Sequence, residues 1–158
     1  MRAVYINYDE IADLYDAGVK ADYDVSFFKE EASRIAGPVV ELTSGTGLLS
    51  IPLIEAGVDL TCVDFSQGML DVLIRKLEKR GLHAVIHRAD ISRLDLPERY
   101  ELAILPFHSF MEIVGEERQN AALAGVFTRG TVHLHTAQPD CTSKTSRWTL
   151  AHRGAPSS

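Results

Sequence analysis

The sequence predicts a single α/β domain whose mostly parallel sheet is covered by helices on both faces. Three observations carry this. Short apolar runs alternate with amphipathic stretches from residue 39 onward, the loops between them are brief, and glycines close the helical stretches. The 158 residues suffice for one domain with one buried core.

Residues 8–36 read as two amphipathic helical pieces with a break near Ala17-Gly18. Ile11, Leu14 and Tyr15 share a face at helical spacing, as do Phe28, Ala32 and Ile35, and Gly37-Pro38 stops the second piece. Val39 to Leu42 is a short buried strand. Thr46 to Glu55 fits a helix closed by Gly57, and DLTCVD (59–64) is a second strand. Ser66 caps the long helix QGMLDVLIRKLEKRG, with Met69, Leu70, Leu73, Ile74 and Leu77 on one face and Gly81 at its end. HAVIH (83–87) and ELAILPF (101–107) are the third and fourth strands, and Glu116 to Phe127 a further helix. From about residue 126 aliphatics thin out and Ser/Thr increase. Thr131 to Thr136 is one strand candidate there, and the last twenty residues are expected to be disordered.

Composition narrows the function. Net charge is −6, and no Lys/Arg run exceeds two residues, so the electrostatic footprint for nucleic acid or anionic membrane is missing. No apolar run reaches membrane-spanning length, and MRAVYINYDE is too acidic and interrupted for a secretory signal. Cys62 and Cys141 lie far apart, with Cys62 inside an apolar strand; a buried free thiol and a cytoplasmic setting are expected. His133 and His135 alternate on one strand face without a third ligand, so no metal is expected.

The loop after the first strand carries the chemistry. In GPVVELTSGTGLLSIPLIEAG (37–57), Gly45 and Gly47 allow a sharp turn and bring backbone N–H groups close to a ligand. Asp64 ends the second strand seventeen residues after Gly47, and its carboxylate can accept both hydroxyls of a ribose. Loop and acid together point to an adenosine-containing cofactor. A dinucleotide wants a third small residue early in the helix, whereas this chain has Leu48-Leu49-Ser50; a nucleotide-hydrolase loop would need Gly-Lys-Ser/Thr, which is absent. A ligand without phosphate needs amides near a carboxylate and an acid near a cationic centre, and Glu41 fits the second need.

With VVELTSGTGLLSIPLIEAG, LTCVDFSQGMLDVL, HRADISRLDL and YELAILPFHSF in that order, the chain resembles a class I S-adenosylmethionine-dependent methyltransferase over residues 8 to about 125. The resemblance implies a Rossmann-like three-layer sandwich and S-adenosylmethionine as cofactor. The family's first motif is usually E/D-x-G-x-G-x-G, and Thr43 stands at its first glycine. Carried over, Thr43, Ser44, Gly45 and Gly47 form the cofactor loop with Glu41 nearby. Asp64 binds the ribose hydroxyls, Phe65 and Met69 flank the adenine, and Asp90 bonds its amino group with Ile91 on the ring face. Leu105 lies beside the sulfonium, and Tyr15 reaches the cofactor carboxylate. On the residues alone, Asp90 equally suits a turn start, while Met69, Phe65 and Tyr15 suit packing.

The segment Pro106-Phe107-His108-Ser109-Phe110 falls where relatives contact the acceptor, and His108 is a weak candidate base. Its aromatic character and the lack of an Asn-Pro-Pro-Tyr/Phe signature suggest a small organic acceptor rather than an amide or nucleic-acid base. Residues 1–36 are read as a helical cap, 37–125 as the cofactor-binding core, and 126–158 as an atypical tail, disordered or out of frame. Shifting FTRGTVHLHTAQP (127–139) by one nucleotide permits Leu-Pro-Gly-Gly-Arg-Phe-Ile-Cys-Thr-Leu-His-Asn-Pro, a turn and strand of the family's kind. A frameshift near residue 126 is therefore expected, with C-terminal strands missing, an exposed sheet edge, weak stability and doubtful turnover. The DNA across codons 120 to 140 tests it. The rival readings are a noncatalytic cofactor-binding or structural domain and a nicotinamide- or flavin-binding oxidoreductase domain.

Overall fold

The computed structural model describes residues 6–19, 22–106, 109, 113, 115–127, 132–136 and 146–150. Two helices, α1 (Tyr8–Gly18) and α2 (Asp22–Ser33), precede strand β1 (Val39–Leu42). Then follow α3 (Ser50–Glu55), β2 (Leu60–Asp64), α4 (Gln67–Arg80), β3 (Val85–Arg88), a 3-10 turn at Ile91–Arg93, β4 (Leu102–Ile104), α5 (Glu116–Phe127), β5 (Val132–Thr136) and β6 (Ser146–Leu150).

The sheet order is β3-β2-β1-β4-β5-β6. Strands β1 to β5 pair in parallel, and β6 runs antiparallel to β5. The chain steps outward from β1 to β2 and β3, then crosses to β4 on β1's other side, which makes the carboxyl end of β1 a switch point. In a β-strand, side chains alternate between faces, and β1, β2 and β4 are buried on both. Val39, Leu60, Cys62, Leu102 and Ile104 pack with Phe28 of α2, Leu53 of α3, and Leu70, Leu73 and Leu77 of α4. Val40, Leu42, Val63, Ala103 and Leu105 pack with Ile91, Leu96, Tyr100 and Ala122 of α5 on the opposite side. Ser66 caps α4 by accepting from the Met69 N–H, and Gly81 ends it in the left-handed conformation, as the sequence predicts.

Several boundaries differ from expectation. The helix expected from Thr46 begins at Ser50, because Gly45 and Gly47 both have positive φ and carry the chain through turns first. Strand β3 starts at Val85 rather than His83, and β4 stops at Ile104, shortly before Pro106, which has no N–H for a ladder. Ser146–Leu150, inside the stretch expected to be disordered, forms strand β6 by backbone pairing with β5. That partner is not readable from local composition. Among the described residues, no helix is long and apolar enough to cross a membrane.

α1 also docks differently. Ala12 is its buried residue, packed with Met69 and Val72, and Tyr8 and Tyr15 flank that cluster. Leu14 is 72% exposed and Ile11 37%. Of the expected face Ile11, Leu14 and Tyr15, Tyr15 packs inward with Ala12 and Tyr8 while Ile11 and Leu14 turn outward, and Asp9 and Asp16 add hydrogen bonds to Ser66, Gly68 and Thr46.

Candidate cofactor site

At the switch point, Thr43 to Leu49 form a turn held from three sides. The Ser44 N–H donates to the Val63 carbonyl at 2.9 Å, and the Gly47 N–H to the Ser44 carbonyl at 3.0 Å. Across the gap, Asp64 Oδ2 accepts from the Gly45 N–H and Oδ1 from the Ser66 N–H, both at 2.8 Å. One carboxylate thus ties the loop after β1 to the loop after β2. Burial pushes the Asp64 carboxyl up; the Ser66, Gly45 and Phe65 amides offset this only in part.

Backbone conformation explains the glycines and the odd threonine. Gly45 has φ +55° and Gly47 φ +84°. A Cβ built on Gly45 meets no atom within 4 Å, whereas one on Gly47 would overlap Leu73 of α4. Gly45 therefore keeps the loop surface low, and Gly47 lets α4 pack close. Thr43 has φ +61°, alone in the left-handed region among the described non-glycine residues. It occupies a glycine's conformation at a cost of about 1 kcal/mol, with its hydroxyl donating to the Leu42 carbonyl at 2.5 Å.

Glu41 lies beneath the loop, 1% exposed, on the face shared with Cys62. Its Oε2 accepts from the Ser50 hydroxyl at 2.6 Å, while Oε1 has no hydrogen-bond partner among the described residues. Burial raises its pKa to about 8, the Ser50 bond notwithstanding. Ser44 Oγ is likewise buried without a partner among them. Cys62 is a buried free thiol, as expected, and burial and Glu41 push its pKa up.

The other sequence-predicted residues divide into two groups. Phe65 is 66% exposed directly after Asp64, with an aromatic face available. Met69 is buried under α1 beside Ala12 and Val72. Ile91 and Leu105 are buried together in the core facing α5. Tyr15 stacks edge-on against Tyr8, with ring centroids 6.2 Å apart. Asp90 caps the 3-10 turn, its Oδ1 accepting from the Ser92 N–H at 2.9 Å and the Ser92 hydroxyl at 2.7 Å; Oδ2 pairs with Arg118 of α5 at 3.0 Å. Partial burial raises Asp90, but Ser92 and Arg118 outweigh it and hold the carboxyl below its usual range. His108 lies outside the described residues, as do Phe107 and Phe110, and Ser109 donates to the Pro106 carbonyl at 3.0 Å.

Sequence reasoning missed the residues that fasten α1 here. Asp9 accepts from the Ser66 hydroxyl at 2.6 Å and the Gly68 N–H at 2.7 Å; both bonds lower its pKa. Asp16 accepts from the Thr46 hydroxyl at 2.5 Å and pairs with Lys76, while Arg75 pairs with Asp13. The available signal was the acidic stripe along α1, opposite a basic pair on α4.

An amide-rich turn at the switch point, braced by an acid ending the next strand, defines a Rossmann-like domain for a nucleoside-bearing cofactor. Residues 39–129 match the family described as methyltransferase domain, and the chain belongs to that family. It is a class I, Rossmann-like methyltransferase domain. It is 29% identical over 123 residues to glycine/sarcosine N-methyltransferase of Halorhodospira halochloris, covering 77% of this chain and 45% of that protein. It is 36% identical over 124 residues to phosphatidylethanolamine N-methyltransferase of Cereibacter sphaeroides, covering 70% of this chain and 60% of that one. The structure of the CcbJ methyltransferase from Streptomyces caelestis superposes with a TM-score of 0.69 at 30% identity, over 82% of this chain and 57% of that one. The chain thus spans about half the length of the curated relatives it matches.

Proposed function

We propose that this chain binds S-adenosylmethionine in the turn after β1 and acts in methyl transfer to a small organic acceptor. The observation that carries the reading is the Asp64 carboxylate, fixed by the Gly45 and Ser66 amides at the mouth of a two-glycine loop. Those bonds orient a carboxylate toward a ribose diol before any ligand arrives. Gly45 leaves room for close approach, and the Ser44 hydroxyl and Glu41 Oε1, unpartnered among the described residues, are polar groups that a ligand amino or carboxylate group would satisfy. The residues present therefore fit the cofactor. Phe65 offers an exposed ring for adenine.

A dinucleotide suits the site less well. The helix after the loop has only six residues and starts at Ser50, set back from Gly45, so its N-terminal amides do not meet a pyrophosphate there.

The sulfonium supplies an already activated methyl group, so the protein's task is to align the acceptor and exclude water. The two curated relatives named above are N-methyltransferases by name, which favours a nitrogen acceptor. Residues 1–36 serve in this reading as a cap on the 37–125 core.

Calorimetry with S-adenosylmethionine, S-adenosylhomocysteine and NAD tests binding. Micromolar affinity for the first two and none for NAD is expected; the reverse order overturns the reading. A labelled-methyl assay over small amines tests transfer. Gly45→Ala is expected to weaken S-adenosylmethionine about tenfold while costing only about 1 kcal/mol of stability, because the new methyl meets no protein atom. Equal affinity of this variant and the parent chain would place the ligand elsewhere.

A further inference from the structure

We infer that Asp16 and Lys76 form a latch that holds Thr46, and through it the Gly45–Gly47 turn, in the ligand-binding shape. Thr46 sits between the two glycines and is 1% exposed. Both its polar ends are held by other elements. Its hydroxyl donates to Asp16 Oδ1 on α1 at 2.5 Å, and its carbonyl accepts from Lys76 Nζ on α4 at 2.9 Å. Lys76 also pairs with Asp16 Oδ2, which closes a three-residue ring of bonds spanning α1, the turn and α4.

The turn needs such a brace. A Gly-Thr-Gly stretch with positive φ at both glycines has many alternative conformations, and ordering it on ligand binding would cost affinity. With Thr46 fixed at side chain and main chain, the turn is ordered beforehand, and the Gly45 N–H stays on Asp64. The two latch side chains are only partly exposed, 36% for Asp16 and 25% for Lys76, so water screens their bonds less than those of the Asp13–Arg75 pair on the same helix, at 80% and 60%. Asp16 is thus a positioning residue acting through Thr46. Because it is carried by α1, the docking of that helix and the order of the turn are linked.

The affinity part of this inference rests on the proposed binding of S-adenosylmethionine; the ordering of the turn does not. The test is therefore two measurements on the full chain. Without ligand, amide exchange at Gly45 is expected to speed up at least fivefold in Asp16→Ala and Thr46→Val, to return in Thr46→Ser, and to stay unchanged in Asp13→Ala. With ligand, calorimetry is expected to give about fivefold weaker S-adenosylmethionine binding for Asp16→Ala and for Thr46→Val. The double variant should be no weaker than either single one. Unchanged exchange in Asp16→Ala, or Asp13→Ala loosening the turn equally, overturns the latch. Faster exchange with undiminished affinity overturns its positioning role. Absence of binding by the parent chain refutes the proposed function, and the exchange result still decides the latch.

Discussion

Asp64→Ala is expected to weaken S-adenosylmethionine binding at least about a hundredfold, which corresponds to about 2.7 kcal/mol. Two losses add. In the proposed complex the carboxylate takes the ribose hydroxyls, and charge-assisted hydrogen bonds contribute about 1.5–3 kcal/mol each. In the free protein the same carboxylate holds the Gly45 and Ser66 N–H groups, so alanine also releases the turn that presents the other amides. Asp64→Asn should fall between. It keeps the shape, yet its NH₂ must face one of the two N–H donors, so its single oxygen accepts only from the other. The measurement is calorimetry on protein whose circular dichroism matches the parent chain. Undiminished affinity in a folded Asp64→Ala sample would end the proposal.

The second large effect is on stability. Glu41 is fully buried with one oxygen unpartnered among the described residues, and its pKa lies near 8 against an ordinary 4.5. Between those two values the folded chain holds a proton that the unfolded chain has released. The Glu41 contribution to folding stability is therefore full below pH 4.5 and falls as pH rises to about 8, where the buried carboxylate ionises. The loss is on the order of 2–4 kcal/mol, allowing for relaxation around the charge. Glu41→Gln removes the titrating group but keeps an oxygen for the Ser50 hydroxyl. At pH 8.5 without ligand, its melting temperature should exceed the parent's by about 5–10 °C, and the two should converge at pH 4.5. Parallel melting curves across that range would show that Glu41 is ionised in the folded chain or screened by water.

The cofactor turn is legible in the amino-acid sequence, and for a local reason. Positive φ is a property of single residues, so Gly45 and Gly47 announce a turn wherever they stand. The threonine at the family's first glycine position keeps a glycine's conformation, with φ +61°. Asp64 is equally legible, because it closes an apolar run and strands of a parallel sheet end at the ligand side. The strand and helix order follows from periodicity, which needs no knowledge of partners.

What periodicity leaves open is which polar residue meets which. Asp16 reaches Thr46 and Arg118 reaches Asp90 only after helices fold back over the sheet. A docked acidic stripe and a solvated one read alike along the chain, and of the face Ile11, Leu14 and Tyr15 that periodicity points to, Tyr15 packs with Ala12 and Met69 while Ile11 and Leu14 turn outward. By its spacing Met69 suits the core better than adenine, and it is buried with Ala12 and Val72. Strand Ser146–Leu150 exists through pairing with β5, an interaction that no local composition encodes. Covalent neighbours set backbone conformation, and so the chain alone determines the turn and the acid facing it. Hydrogen bonds across space and the exclusion of water belong to the assembled fold, and they decide how that turn is braced and where Glu41 keeps its proton.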